Sequence, residues 1–163
     1  MQVFRANVGK QYLNLSIPRL RPANPCGVTH ASIAANRQLI EVPINFCVFD
    51  GTWEASDAFA LDHAPEVAAW VKNDHLGFEV FYVHKGVVRK YRPDFLIRLK
   101  SGDMLVLETK GRDSERDRTK WKYLAEWVEA VNAHGGFGCW RWDVALNPGD
   151  IHGILARHLR ASS

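Results

Sequence analysis

Residues 91 to 111 read YRPDFLIRLKSGDMLVLETKG, two apolar strand-like runs joined by a tight polar turn at Ser101-Gly102-Asp103. The turn predicts a hairpin. Pro93 limits how that hairpin is built, because a proline has no N–H to give to a central ladder and the pairing is expected to open there. Three charges sit at the open end: Asp94 directly after Pro93, then Glu108 and Lys110 with one residue between them. Strand alternation puts Glu108 and Lys110 on one face and Thr109 on the other. Whether Asp94 joins them depends on register. A two-residue turn pairs positions summing to 203 and sets Asp94 opposite Thr109, on the wrong face. A three-residue loop over Ser101–Asp103 raises the sum to 204 and sets Asp94 opposite Lys110; Gly102 and the bulge common in such loops suit it.

Two carboxylates and a lysine on one patch suit Mg²⁺, with Mn²⁺ as a substitute. Mg²⁺ takes oxygen ligands, keeps several waters and is commonly held by one or two carboxylates plus a substrate phosphate. Such an ion polarises a phosphodiester and acidifies a bound water. The lysine would orient that water or stabilise charge developing in the transition state. A surface ion pair is the plainer explanation, but such pairs contribute only ~0–1 kcal/mol and require no Pro-Asp followed by Glu-x-Lys.

The surrounding pattern is that of a single domain with an α/β layout. With 163 residues, 47% hydrophobic and 24% charged, the chain is long enough for one core and too short for two full domains. The stretch TWEASDAFALDHAPEVAAWVKND predicts helix in two pieces, with Val67, Trp70 and Val71 as the apolar stripe of the second. FEVFYVHKG, VVRKYRPDFLIRL and MLVLETK predict three strands. DSERDRTKWKYLAEWVEAVNAHGG predicts an amphipathic helix closed by two glycines, with Trp121, Leu124, Trp127, Val128 and Val131 on one stripe. FGCWRWDVA predicts a further strand and GDIHGILARHL a short helix. Residues 1–50, interrupted by the prolines of SIPRLRPANP, are expected to be an N-terminal extension, and residues 51–163 the domain that carries the site.

Charge and cysteine content narrow the setting. The net charge is only +3, yet residues 1–40 hold five Lys/Arg and no acid, and residues 85–122 hold twelve against six. That bias suits a polyanion such as DNA. Cys26, Cys47 and Cys139 form no CxxC pair and predict thiols in a reducing compartment. MQVFRANVGK has no signal-peptide core and no apolar run nears the ~18 residues of a membrane span, so a cytoplasmic protein is expected.

Taken in order, DGTWE, VKNDHLGFEVFY, YRPDFLIRL, LVLETKGRD, TKWKYLAEWVEAVN and GGFGCW cover more than half the chain. This series resembles the PD-(D/E)XK nuclease superfamily, and within it the C-terminal nuclease region of the type III restriction enzyme restriction subunit. The resemblance implies a restriction-endonuclease-like fold, a mixed β-sheet flanked by helices. It also implies a Mg²⁺-dependent DNA endonuclease with Asp94 and Glu108 as metal ligands and Lys110 as the catalytic lysine. A glutamate from the first helix often joins such a site. Glu54 matches the family block, and Glu66 is its rival by position. Lys120 and Lys72 are candidate phosphate contacts. The family's motor is missing, since no GxxxxGK[ST] phosphate loop occurs. A detached nuclease domain is therefore expected, free-standing or working with a separate motor or methyltransferase subunit, and a double-strand cut would call for a homodimer or a partner. Two alternatives stay open: a DNA- or protein-binding module derived from such a nuclease, and a repair or mobile-element nuclease of the same superfamily.

Overall fold

The computed structural model describes residues 2–5, 15–16, 19–20, 33–34, 39–40, 46–49, 52–73, 76–111, 114–147 and 149–160, with side chains from residue 56 onward. Among the described residues, six short strands precede the first helix: β1 (Gln2–Arg5), β2 (Leu15–Ser16), β3 (Arg19–Leu20), β4 (Ile33–Ala34), β5 (Leu39–Ile40) and β6 (Phe46–Phe49). They pair antiparallel as β1 with β6, β2 with β5 and β3 with β4. The rest of the expected extension lies outside the described residues.

From Thr52 onward the order is α1 (Thr52–His63), β7 (Val67–Lys72), β8 (Val80–His84), β9 (Val87–Tyr91), β10 (Phe95–Leu99), β11 (Met104–Thr109), α2 (Glu115–His134), β12 (Trp140–Ala145) and α3 (Asp150–Arg160). Four strands form a mixed sheet in the order β12-β11-β10-β7. β10 pairs antiparallel with both β7 and β11, and β12 runs parallel to β11 after the crossover through α2. The architecture is α/β, a mixed sheet flanked by helices.

Period-two alternation sorts the sheet's side chains into two cores. Leu96, Met104, Val106 and Trp140 face one way and pack with Leu124, Trp127, Val128 and Val131 of α2. Phe95, Ile97, Leu99, Leu105 and Leu107 face the other way, against Ala58 and Leu61 of α1 and Ile151, Ile154 and Leu155 of α3. Trp127 and Trp140 meet edge to face at 5.1 Å, each within reach of Phe78, so these tryptophans are core residues.

The expected second helical piece is a strand. Val67, Trp70 and Val71 fit a helical stripe, but the run is short and every residue of β7 except Ala68 is buried. Trp70 packs into the α1/α3 core and Val71 into the α2 core. A run buried on both faces reads alike in either period, and pairing with β10 decides it. Pro65 and Glu66 form the turn between α1 and β7. The single strand expected over VVRKYRPDFLIRL is also two, broken at Arg92-Pro93-Asp94. β9 pairs with β8 as a separate two-stranded ribbon, while β10 belongs to the main sheet.

The loop between β10 and β11 has three residues, as expected, but it is Lys100–Gly102. Leu99 donates its N–H to the Asp103 carbonyl at 2.9 Å, Gly102 donates to Leu99 at 3.0 Å, and Gly102 has φ 95°. This is a turn followed by a glycine in the left-handed region. The pairs Phe95–Leu107, Leu96–Val106 and Arg98–Met104 each sum to 202. The paired ladder ends at Phe95–Leu107, before Asp94, whose place is set by the hydrogen bonds described below.

A Cβ at Gly102 would meet nothing within 4 Å, so only the backbone opposes substitution. Gly102→Ala is expected to lower unfolding free energy by about 1 kcal/mol or more, with the denaturant slope unchanged. Urea unfolding followed by tryptophan fluorescence checks this.

Candidate functional site

The β10–β11 ladder exchanges hydrogen bonds at odd-numbered pairs such as Leu99 and Asp103, so its next such pair would be Pro93 and Thr109. Pro93 has no N–H to offer, and the chain bends at Asp94. The Asp94 side chain stands in for the Pro93 carbonyl as acceptor: its Oδ2 accepts from the Thr109 amide at 2.8 Å and from the Thr109 hydroxyl at 2.9 Å. Asn73 brackets the other side. Its amide N–H donates to the Asp94 carbonyl at 2.8 Å, and its Nδ2 donates to the carbonyls of Phe78 and Pro93 at 2.9 and 3.0 Å. Asn73 is thus the clamp that fixes the opened strand end.

Glu108 lies on the α2 face of the same strand end, buried with 6% of its surface exposed. The Tyr91 hydroxyl donates to its Oε2 at 3.0 Å. Burial, then the nearby Asp94 charge, push the Glu108 carboxyl up to about 8, against the pull of Tyr91, Lys120 and Lys110. Burial and the Glu108 charge hold the Tyr91 phenol far above its usual range, so it stays a donor.

A second layer of charge comes from the start of α2. Ser114 caps the helix: its Oγ accepts from the Asp117 N–H at 3.2 Å and donates to Asp117 Oδ2 at 2.6 Å. Asp117 Oδ1 meets Lys120 Nζ at 2.9 Å and Lys110 Nζ at 3.6 Å. Burial would raise the Asp117 carboxyl, but Ser114, Lys120 and Lys110 outweigh it and hold it at about 2. Lys120 also sits 5.3 Å from the centre of the Tyr91 ring. The site is therefore an alternating set of acids and lysines with two tiers, Asp94 and Glu108 on the sheet and Asp117 on the helix.

Of the residues singled out from the sequence, Asp94, Glu108, Lys110 and Lys120 converge here. Lys120 is bound to Asp117 rather than open to solvent. Lys72 is buried, with 7% exposed, and offers DNA no surface; β7 places it level with Phe95. Glu66 sits in the turn at the opposite end of the sheet, where its carbonyl accepts from Lys100. Five residues of strand, about 17 Å, separate it from Asp94, so it takes no part. Glu54 is in the first turn of α1, and its side chain lies outside the described residues. Three residues went unread. Asp117 carries a signal, since Ser114-x-x-Asp117 is a capping-box spacing. Tyr91 and Thr109 carry none, because only the register brings them to the acids.

Among the described residues no three His, Cys, Asp or Glu side chains come together as a metal-holding group. Among the described residues, an ion here would rest on Asp94 and Glu108. Among the same residues no helix is long and apolar enough to cross a membrane. Comparisons with protein-family models, curated proteins and solved structures return no match for this chain.

The raised Glu108 carboxyl makes a pH prediction. In the unfolded chain it titrates near the usual ~4.3; in the folded protein it titrates near about 8. Between those values the folded state keeps a proton that the unfolded chain has lost, so stability is greatest below the lower value and falls as pH rises through the upper one. Metal-free wild type should lose unfolding free energy between pH 5 and 8.5, on the scale of ~1.4 kcal/mol per pH unit at most. Glu108→Gln should be flatter across that range. Asp117 acts in the opposite sense and only at lower pH, so it does not mask the trend. Urea denaturation in EDTA across a pH series reads the difference.

Proposed function

We propose that this chain has a restriction-endonuclease-like fold of the PD-(D/E)XK superfamily and hydrolyses DNA phosphodiesters with Mg²⁺. The observation that carries the reading is the meeting of Asp94 and Glu108 at a strand end opened by Pro93, with Lys110 and Lys120 alongside. The donor set fits a hard divalent cation. A carboxylate whose proton affinity is raised by burial and by a neighbouring carboxylate can bind such an ion in place of a proton, and Mg²⁺ commonly takes its remaining ligands from water and substrate phosphate. When bound, the ion polarises the scissile phosphate and acidifies a water.

The chain's own residues have separable roles in this reading. Thr109 fixes the Asp94 carboxylate with two hydrogen bonds. Tyr91 fixes Glu108. Lys110 is about one-third exposed and holds Asp117 only at 3.6 Å, so it has the freedom to turn to a phosphate oxygen. There it would stabilise the charge that grows as water adds to phosphorus and the leaving P–O bond breaks. Lys120, with 17% of its side chain exposed, stays with Asp117 and supplies a fixed positive field. DNA is the substrate class that the basic bias of residues 85–122 suits. A cytoplasmic setting, a separate motor or methyltransferase subunit, and a homodimer for double-strand cutting belong to the same proposal.

One observation favours a second reading. The two bonds from Thr109 give Asp94 a purely structural task, accepting from the Thr109 amide where the Pro93 carbonyl has turned to Asn73. A DNA-binding module that retained Asp94 for that task would bind without cutting. The test is cleavage of plasmid and linear DNA in Mg²⁺ beside EDTA, for wild type and Lys110→Ala. Wild type should cut only with the metal. Lys110→Ala should cut on the order of a hundredfold more slowly or worse, the scale of losing one charge-stabilising donor. Its DNA affinity in Ca²⁺ should change several-fold at most. Binding without metal-dependent cutting by wild type would favour the module instead.

A further inference from the structure

The β8–β9 ribbon stands apart from the main sheet, and its outer half is uncovered. Val80, Tyr82 and Tyr91 at its base are buried in the α2 core. From Lys85 to Lys90 every residue is exposed. Val87 is 52% and Val88 61% exposed. Adjacent strand residues point to opposite faces, so β9 shows both of its faces at the tip, while Val83 and His84 across from it are partly buried. Between Glu79 and Asp94 the chain carries Lys85, Arg89, Lys90 and Arg92 and no acid. Glu79 neutralises Lys90 at 2.8 Å and Arg92 at 2.6 Å. Lys85 and Arg89 make no ion pair among the described residues.

The turn adds an independent sign. Val83–Val88 and His84–Val87 are paired, leaving Lys85 and Gly86 as a two-residue loop. Both have positive φ, 52° and 75°, the geometry of a type I′ turn. Asn, Asp or Gly suits the first position of that turn. Lysine there is the one non-glycine residue at positive φ among the described residues. A cation is held at the tip against backbone preference, the pattern expected where the side chain has work to do.

We propose that the β8–β9 ribbon is a contact element for B-form duplex DNA, entering the major groove with Lys85 and Arg89 on the flanking phosphates. The proposal rests on the nuclease reading for its choice of partner, and deepens it by assigning the surface that holds the duplex. Charge selects a polyanion, and shape selects the duplex. A B-form major groove about 12 Å wide admits a two-stranded ribbon. The deep, narrow major groove of A-form RNA does not. The exposed valines give the ribbon apolar edges of the kind that contact thymine methyl groups. The ribbon also ends at the chemistry. Tyr91 closes β9 and donates to Glu108, so a duplex held at the tip lies about 17 Å along one strand from the carboxylates.

The test uses the full chain in EDTA, with fluorescence anisotropy of a short duplex DNA titrated over a range of salt. The variant is Lys85→Asn with Arg89→Gln. Two lost phosphate contacts should make the log–log salt slope shallower by about 1.8 and weaken binding near 0.15 M salt by roughly 30-fold. The single variant Lys85→Asn should keep or raise the melting temperature, because asparagine suits the turn, so weaker binding would not reflect misfolding. Binding to duplex RNA of the same sequence should be little changed by the double variant. The proposal is overturned if the double variant binds DNA like wild type, if RNA binding falls equally, or if wild type binds no duplex DNA. None of these readouts needs cutting. A wild type that cuts in Mg²⁺ while the double variant binds normally would remove the ribbon's role and leave the nuclease reading standing.

Discussion

A β-ladder that reaches a proline loses a donor, and the loss at Pro93 sets the rest of this site. Where the strands part, the Thr109 amide and the Pro93 carbonyl no longer bond each other. Buried backbone groups without partners cost on the order of 1–3 kcal/mol each, so the fold supplies replacements. The Asp94 carboxylate serves Thr109, and the Asn73 amide serves Pro93. The first replacement brings a carboxylate to the strand end. The second anchors β7 and the loop leading to β8 at the same point. An acid is therefore held beside Glu108 by backbone bookkeeping, before any ligand is considered.

Once Asp94 is there, Glu108 cannot ionise at its usual pH. It is buried and already beside a charge, and Tyr91 and the two lysines only partly offset this. Asp117 draws both lysines toward itself: it is lowered to about 2 while Glu108 is raised to about 8. Carboxylates driven apart in this way make the cluster a candidate functional site. A divalent cation between the sheet acids would relieve the one unfavourable ionisation in the cluster. The same cation would leave the Asp117–lysine pairs intact.

Much of this was legible in the sequence, and the gaps have physical causes. Gly102 and the apolar runs make the hairpin readable, with a three-residue loop that begins one residue earlier than expected; two registers stay open in the sequence, and the bend at Asp94 is what places its carboxylate. α2 is readable from its stripe and its two closing glycines. β7 was not, because Val67, Trp70 and Val71 satisfy a helical period while the burial of both faces, which makes the run a strand, is a tertiary fact. Lys72 was misjudged for the same reason: placed in a strand, it is buried. Asp117 is coded as a capping residue, and its second role depends on Lys110 arriving from β11. Tyr91 reaches Glu108 only through the break at Pro93 and has no local signature.

The central claim is that Asp94 and Glu108 share a cation in place of a proton, and calorimetric titration measures that exchange directly. Mg²⁺ or Mn²⁺ should be titrated at pH 7 in buffers of different ionisation enthalpy. Glu108, titrating near about 8, is mostly protonated at that pH, so binding should release close to one proton per ion. Asp94→Asn should weaken binding, and Glu108→Gln should bind weakly with no proton release. Metal binding that is independent of buffer and unchanged in both variants would place the ion elsewhere and contradict the account.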